Sequence, residues 1–257
     1  MTLVVIAAVS LLASGLALFS GFGLGTLLTP AFALFFPIEL AVGLTAIVHL
    51  ANNLFKLALL GRHAERRTVL AFGVPAVLAA FLGAEALSRL SVLDPLLTYS
   101  LGARALQVTP VKSLVAVLIL LFVALELSPR FAALQLPPRF MPLGGLLSGF
   151  FGGLSGHQGA LRSAFLMKAG LSKESFVATG VAVACLIDLT RLSVYSTRMP
   201  LSSIHSQAPL VATACAAAFL GSFLGSRLLT KVTLRSVQLT VSFALVLISL
   251  ALLFGLI

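Results

Sequence analysis

Long apolar segments separated by short polar turns account for most of the chain. Segments at about 39–60, 69–88, 111–127, 174–195, 207–229 and 236–257 approach or reach the length that an α-helix needs to cross a bilayer. Two other segments, at about 3–20 and 141–154, are each followed by a glycine cluster and then by a shorter segment, at 26–36 and 159–168. At about 1.5 Å per residue the shorter segments cannot cross completely. This pattern predicts two broken or re-entrant helical hairpins among long membrane helices.

The apolar pattern occurs twice. The motif LTPAF at Leu28–Phe32 matches LRSAF at Leu161–Phe165, and NLFKL at Asn53–Leu57 matches DLTRL at Asp188–Leu192. Each half therefore consists of a glycine-broken hairpin and three long helices. We predict an all-α membrane protein with an N-terminal repeat at 1–128, a linker at 129–140 and a C-terminal repeat at 141–257.

The basic residues indicate how the two halves are oriented. If each glycine break forms a hairpin that enters and leaves on one side, ten cations share one face: Arg62, Arg66, Arg67, Arg130, Arg139, Lys168, Lys173, Arg227, Lys231 and Arg235. Only Arg89, Arg104, Lys112 and Arg198 fall on the other. Without the hairpins the split is six against eight. Because cytoplasmic loops are rich in Lys and Arg, we expect inverted repeats in the inner membrane with both termini outside the cytoplasm.

Composition agrees with a multi-pass membrane protein. The chain is 60% hydrophobic and only 9% charged, too few charges to cover the surface of a soluble domain. The net charge of +10 would suggest nucleic acid in a soluble protein, but here cytoplasmic loops account for it, and we expect no nucleic-acid partner. Cys185 and Cys215 lie singly in apolar segments, and no metal or nucleotide motif is present, so we expect no cofactor.

Several of these features resemble the sulfite exporter TauE/SafE family, also called toluene sulfonate uptake permeases. They are the glycine cluster that opens each half, the helix with Asn53, the polar turn Gly61–Thr68 and the spacing of Gly221 and Gly225. The resemblance covers nearly the whole chain. It implies a small membrane carrier for sulfur-containing anions. Where family members place several glycines in the second half, this chain has instead Ser155, His157, Gln158 and Arg162.

The two glycine clusters are the first candidate site. A short helix that begins near Thr26 or Gly159 presents free N–H groups and a positive dipole end, an arrangement that binds anions. If the repeat symmetry brings the two ends together, they are candidates to hold a small oxyanion through Gly23, Gly25, Thr26, Gly156 and Gly159. The alternative is that the glycines only allow helices to pack closely.

A polar stripe on one apolar helix is the second candidate. Thr45, His49, Asn53 and Lys56 are spaced so that they share one face. A cation at the bilayer centre costs about 2.5–3.5 kcal/mol on insertion scales, so such a stripe usually has a function. We expect Thr45, His49 and Asn53 to line the site; His49 either couples protons or binds the ligand, or it is a satisfied core histidine. Lys56 either belongs to the site or extends to the membrane surface.

The second half supplies the remaining charged candidates. Asp188 and Arg191 are three residues apart on a predicted helix, and we interpret them as a structural pair or a gate. Arg162 has no such neighbour. Because a guanidinium matches the oxygens of a sulfonate in fork geometry, Arg162 is the strongest candidate to pair with the substrate. His157 and Gln158, just before it, complete the predicted substrate-binding set.

Two other functions have to be weighed. The sequence GLSG at Gly153–Gly156 fits the Gly-x-Ser-Gly of rhomboid-type intramembrane proteases, with Ser155 as the nucleophile. However, no later apolar segment carries a histidine, His205 lies in a loop, and His157 is too close along the chain to serve as the base. A passive membrane assembly subunit is the third alternative, and it would need neither Arg162 nor His49.

The interpretation that accounts for most features is a secondary transporter and not an enzyme. It would move a small anion, sulfite or an organosulfonate, across the lipid bilayer by alternating access. The energy would come from a gradient of protons or sodium ions, or from the substrate gradient itself.

Overall fold

A computed structural model describes residues 1–17, 24–102, 104–134, 136–198, 204–228 and 234–257. Most of these residues are helical. The helices are α1 (Thr2–Leu16), α2 (Leu24–Ala33), α3 (Ile38–Leu60), α4 (Arg66–Leu90), α5 (Pro110–Leu127), α6 (Pro129–Ala132), α7 (Met141–Ser155), α8 (Gly159–Leu166), α9 (Lys173–Arg198), α10 (Ala208–Leu228) and α11 (Leu234–Leu253). Short 3₁₀ turns follow α3 at Gly61–His63 and precede α7 at Pro138–Phe140.

Four helical segments of the described chain are long and apolar enough to cross a membrane. They are Ile38–His63, Arg66–Leu90, Pro110–Leu127 and Lys173–Arg198. Shorter apolar helices lie at Thr2–Leu16, Leu24–Ala33, Ala208–Leu224 and Leu239–Leu253. The prediction of a helical, multi-pass membrane protein is therefore confirmed. As the sequence indicates, the helices that follow the two glycine clusters are short, with 10 residues in α2 and 8 in α8.

A two-stranded antiparallel hairpin between α4 and α5 was not predicted. Its strands, β1 (Leu97–Leu101) and β2 (Arg104–Val108), pair from Leu97 opposite Val108 to Leu101 opposite Arg104. Gly102, at the turn, has a φ of +62°, which favours glycine. The hydroxyl of Tyr99 donates to the backbone oxygen of Phe254 at 2.6 Å and ties the hairpin to the end of α11.

The second glycine cluster is mostly helical, and its break is narrower than predicted. Helix α7 continues to Ser155 and ends at Gly156, whose φ of +85° is the left-handed conformation of a helix C-cap. Helix α8 begins three residues later, at Gly159. Gly156 is therefore the residue of the cluster at which the chain turns.

The other glycines of α7 let helix α4 approach closely. Gly145, Gly149 and Gly153 are four residues apart, and each faces the backbone of α4, at Phe72, Ala76 and Ala80 respectively. Gly83 of α4 faces the backbone of α7 in the same way. A side chain at any of these positions would force the two helices apart, so these glycines have a packing role. Gly221 has the same relation to the backbone of α1 at Leu11.

Helices α3 and α9 pack against each other near the middle of the structure. Their facing sides carry the polar stripe of α3 and the pair Asp188 and Arg191 of α9, and these are buried among apolar side chains from the surrounding helices. Helix α4 starts next to them. Glu65 caps its N-terminus by accepting hydrogen bonds from the backbone N–H groups of Arg67 at 3.1 Å and Thr68 at 2.6 Å. The pKa of the Glu65 carboxyl is held below its usual range by hydrogen bonds from Thr68. The bond from the Thr68 side chain has the larger effect, and the bond from its backbone N–H comes next.

Candidate functional site

Polar residues of α3 form a buried stripe that faces α9. The exposed fraction is 0% for Thr45, 6% for His49, 6% for Asn53 and 9% for Lys56. Their spacing puts all four on one face of the helix, as predicted. The side chain of Lys56 does not extend to the surface, so the alternative in which it does is wrong.

Asp188 of α9 is the centre of a buried hydrogen-bond network. His49 Nδ1 donates to its Oδ2 at 2.6 Å, and Asn53 Nδ2 donates to the same oxygen at 3.4 Å. On the other carboxylate oxygen, Arg191 Nε donates at 3.0 Å and Gln158 Nε2 at 3.3 Å. Arg191 Nη2 also lies 2.8 Å from that oxygen. Asp188 and Arg191 are both fully buried, and α3, α9 and the break before α8 are joined at this carboxylate.

Arg162 is connected to this network through Gln158. Its Nη1 donates to Gln158 Oε1 at 2.9 Å, one helical turn back, and Gln158 in turn reaches Asp188. The guanidinium also lies beside Gly180 of α9, where a Cβ atom would be 3.4 Å from Arg162 Nε. Arg162 is thus held between α8 and α9, and its nearest hydrogen-bonding neighbour is an amide and not a carboxylate.

A cavity of about 120 Å³ lies between α3, α8 and α9. Its polar lining combines two cations with amide, hydroxyl and imidazole groups. The lining residues are Ala17, Leu24, His49, Asn52, Asn53, Lys56, Gly159, Arg162, Ser163, Leu166, Phe176, Val177, Gly180 and Val181. Leu24 and Gly159 are the first residues of α2 and α8, so the starts of both short helices meet this cavity.

The two cations of the cavity are not paired with a carboxylate. Within the described ranges, neither Lys56 nor Arg162 has an Asp or Glu oxygen within 4 Å. No acidic residue is among those that line the cavity. Two cations that share a small cavity repel each other, so an anion bound between them would be stabilised.

Lys56 is held in place by a polar cluster that the sequence analysis missed. In the orientation that satisfies both ends of its amide, Asn52 accepts from Lys56 Nζ at 3.2 Å and donates to Ser222 Oγ at 2.9 Å. The Oγ atoms of Ser14 and Ser222 are 2.6 Å apart, so α1, α3 and α10 meet here. The adjacent pair Asn52-Asn53 was the available signal, since two amides inside an apolar helix are unusual.

The structure does not bring every predicted residue to the cavity. His49, Asn53, Gly159 and Arg162 line it. Gln158 is connected to it only through Arg162 and Asp188. The remaining predicted residues that the structure describes do not line the cavity: Gly25, Thr26, Thr45, Gly156 and His157. Gly23 lies outside the described residues.

The first turn of α2 touches the break between α7 and α8. A Cβ atom on Gly25 would lie 2.9 Å from the backbone oxygen of Gly156, and one on Gly156 would lie 2.9 Å from Arg191 Nη1. Arg191 Nη1 is buried without a hydrogen-bond partner among the described residues. Glycine at both positions therefore allows the first turn of α2, the break at Gly156 and the Arg191 guanidinium to share a narrow space.

Ser155 and His157 are closer than their spacing in the sequence suggests. His157 Nδ1 lies 3.0 Å from Ser155 Oγ, so the short spacing along the chain does not keep the two side chains apart. Yet Ser155 Oγ donates to the backbone oxygen of Phe151 at 3.2 Å, and the His157 ring stacks on Phe122. Both residues are at most 1% exposed, and neither lines the cavity. These surroundings indicate that the contact between Ser155 and His157 is structural.

Comparison with known proteins identifies the family. The profile of the sulfite exporter TauE/SafE family matches residues 6–254, which is nearly the whole chain. Searches of curated proteins and of solved structures found no match. The match extends over both short helices, the stripe of α3 and the cavity residues of α8 and α9. The chain belongs to the TauE/SafE family of sulfite exporters.

Proposed function

We propose that this chain is a secondary transporter that moves sulfite or an organosulfonate by alternating access, with the cavity between α3, α8 and α9 as the substrate site. Membership of the family supports a membrane transporter of the sulfite-exporter type. The observation that supports this site is the cavity itself, which lies between three helices, is lined by Lys56 and Arg162, and has no acidic residue among its described lining residues. A small oxyanion is the ligand that such a lining stabilises.

In this proposal several of the lining groups bind the anion directly. Arg162 presents a planar guanidinium that suits an oxyanion, and Lys56 supplies a second positive charge. The first turn of α8, which starts at Gly159, adds backbone N–H groups and the positive end of a helix dipole. Asn53 and Ser163 can donate further hydrogen bonds.

The packing of the helices supports two inverted repeats, at 1–128 and 141–257, joined by a linker at 129–140. Exchanging the halves would replace α1 by α7, α3 by α9, α4 by α10 and α5 by α11. The two most extensive helix contacts of the described chain, α4 with α7 and α1 with α10, then change places. The contacts of α3 with α9 and of α5 with α11 are retained. Asn53 and Asp188, which occupy matching positions of the two halves, lie within 3.4 Å of each other.

Alternating access needs a barrier that opens on one side at a time, and the Asp188 network is our candidate. His49 and Asn53 line the cavity and also bond to Asp188, while Arg191 extends from the same carboxylate toward the glycine break at Gly156. If these contacts rearrange when the cavity fills or empties, then α3, α9 and both breaks would change position at the same time.

Filling the cavity tests the site. Gly180 faces Arg162 with room for a Cβ atom, so Gly180→Ala is expected to fold and transport normally, whereas Gly180→Leu would occupy the anion's place. We expect sulfite transport by proteoliposomes with Gly180→Leu to fall to that of protein-free liposomes. Full transport by a folded Gly180→Leu variant would show that the anion takes another route.

The orientation of the repeats has its own test. The positive-inside distribution places both termini outside the cytoplasm of the inner membrane, and Arg66 and Arg139 on the cytoplasmic face. With Cys185 and Cys215 replaced by serine, single cysteines introduced next to each terminus should react with a membrane-impermeant maleimide on intact cells. Cysteines placed beside Arg66 and Arg139 are the protected controls. Protected termini would contradict the inverted-repeat arrangement.

His49 is our candidate for coupling transport to protons. Its ring lines the cavity and bonds to Asp188, and the charges nearest to it are those of Asp188, Arg191, Arg162 and Lys56. His49→Gln keeps hydrogen-bond donors but cannot titrate near neutral pH. We expect this variant to remain folded and to transport an organosulfonate, whose charge is constant near neutral pH, at a rate that no longer depends on pH. Normal rates with an unchanged pH dependence would make His49 a core residue.

A further inference from the structure

The cavity has an excess of positive charge that bears on the charge of its ligand. We propose that it is a site for a compact, doubly charged oxyanion, which it selects over a singly charged anion of the same shape. This inference rests on the proposed function, in which the cavity holds the transported anion. It adds a requirement on the ligand's charge that separates sulfite-like dianions from sulfonate monoanions.

The described residues around the cavity contain three buried or half-buried cations and one carboxylate. The carboxylate of Asp188 is matched by Arg191, which lies 2.8 Å away, and accepts a hydrogen bond from His49. Lys56 and Arg162 are left without a compensating charge. With His49 neutral, the region therefore carries two unbalanced positive charges, and protonation of His49 would add another.

The other acidic residues cannot supply the missing charge. The chain has 7 Asp and Glu residues in all, and every one lies in the described ranges. Glu65 caps α4, and Glu85 pairs with Arg89 and Arg198. The remaining four, Glu39, Asp94, Glu126 and Glu174, are not among the cavity residues. Residues 18–23, which connect the lining residues Ala17 and Leu24, contain no charged side chain.

The two uncompensated positive charges have a large effect on anion binding because they lie inside the protein. Inside a protein the attraction between unit charges is several times larger than in bulk water, so each uncompensated charge counts. A monoanion would leave one positive charge over, whereas a dianion would neutralise both. The volume of about 120 Å³ is well below that of typical pockets for drug-sized molecules, so the ligand must concentrate its charge on a few atoms.

Sulfite and chlorate test this directly, since both are pyramidal oxyanions and differ by one charge just above neutral pH, where sulfite is mostly a dianion. Binding to the purified protein in detergent can be measured by calorimetry at constant ionic strength. We expect sulfite to bind about 10- to 100-fold more tightly than chlorate, the factor associated with one additional charged hydrogen bond. Equal affinities, or tighter binding of chlorate, would overturn this proposal and leave the proposed function standing. Failure of both anions to bind would overturn both.

Variants of Lys56 and Arg162 test whether the preference for sulfite over chlorate arises in the cavity. Lys56→Gln should bring the ratio of the two affinities close to one, because one positive charge then remains for one negative charge. Lys56→Arg keeps the charge and should keep the ratio. Lys168→Gln removes an exposed cation that does not line the cavity and is the matched control. A ratio that stays unchanged in Lys56→Gln and in Arg162→Gln would contradict the assignment.

Discussion

Replacing Asp188 by alanine is expected to lower the free energy of unfolding by about 3–5 kcal/mol, the range for removing one partner of a buried ion pair. Arg191 would remain fully buried with no carboxylate, and His49, Asn53 and Gln158 would each lose an acceptor. Denaturant unfolding of the purified protein in detergent measures the loss. Asp94→Ala is the control, because Asp94 is exposed and its replacement should change stability by no more than about 0.5 kcal/mol.

A double variant separates the effect of the unpaired charge from that of the lost hydrogen bonds. Arg191→Met combined with Asp188→Ala removes the uncompensated guanidinium, and an apolar replacement of a buried pair is often well tolerated. We expect the double variant to recover a substantial part of the lost stability. If Asp188→Ala alone unfolds at the same denaturant concentration as the unchanged protein, the network is not the structural centre that its geometry indicates.

The helices could be predicted from the sequence because hydropathy is a local property. The predicted segment 39–60 differs from α3 by one residue at its start, and the short segments after each glycine cluster are indeed short helices. A polar stripe on an apolar helix is also local, since its spacing alone puts His49, Asn53 and Lys56 on one face. The buried position of that face follows from the cost of exposing it to lipid.

Contacts between segments that are far apart in the sequence could not be predicted from these local patterns. Asp188 was interpreted as the partner of Arg191, which is three residues away, but it also binds His49, which is 139 residues away. The cluster of Ser14, Asn52 and Ser222 joins three helices, and each serine on its own resembles the many others in the chain. The β-hairpin was missed because its strands are short, although Gly102 and the neighbouring Tyr99 were signals of a turn between strands.

The glycine clusters show most clearly what could not be predicted from a single sequence. Composition indicates a break in the helix, but it cannot tell which glycine turns the chain and which permits close packing. The structure assigns the turn to Gly156 and the packing to Gly145, Gly149 and Gly153, because the latter three face the backbone of α4. That distinction depends on which helix lies opposite, and a single sequence does not contain this information locally.

Replacing Arg162 by alanine is expected to weaken anion binding by about 1.5–3 kcal/mol, the range for hydrogen bonds to charged groups. The guanidinium lines the cavity beside the first turn of α8, where an anion can accept from both. Its hydrogen bond within the described chain is to Gln158 and not to a carboxylate, so we expect the fold to survive its loss. Calorimetric titration with sulfite measures the change, with Lys168→Ala as a control for a cation outside the cavity.

Arg162→Lys distinguishes the geometry of the guanidinium from its charge. A lysine keeps the positive charge but loses the planar fork, so it should recover only part of the affinity. Because Arg162 reaches Asp188 through Gln158, a structural role would appear differently. Arg162→Ala would then lower the stability of the unliganded protein as well as its affinity for the anion. In that case the anion would have to be held by Lys56 and by the backbone amides at the start of α8.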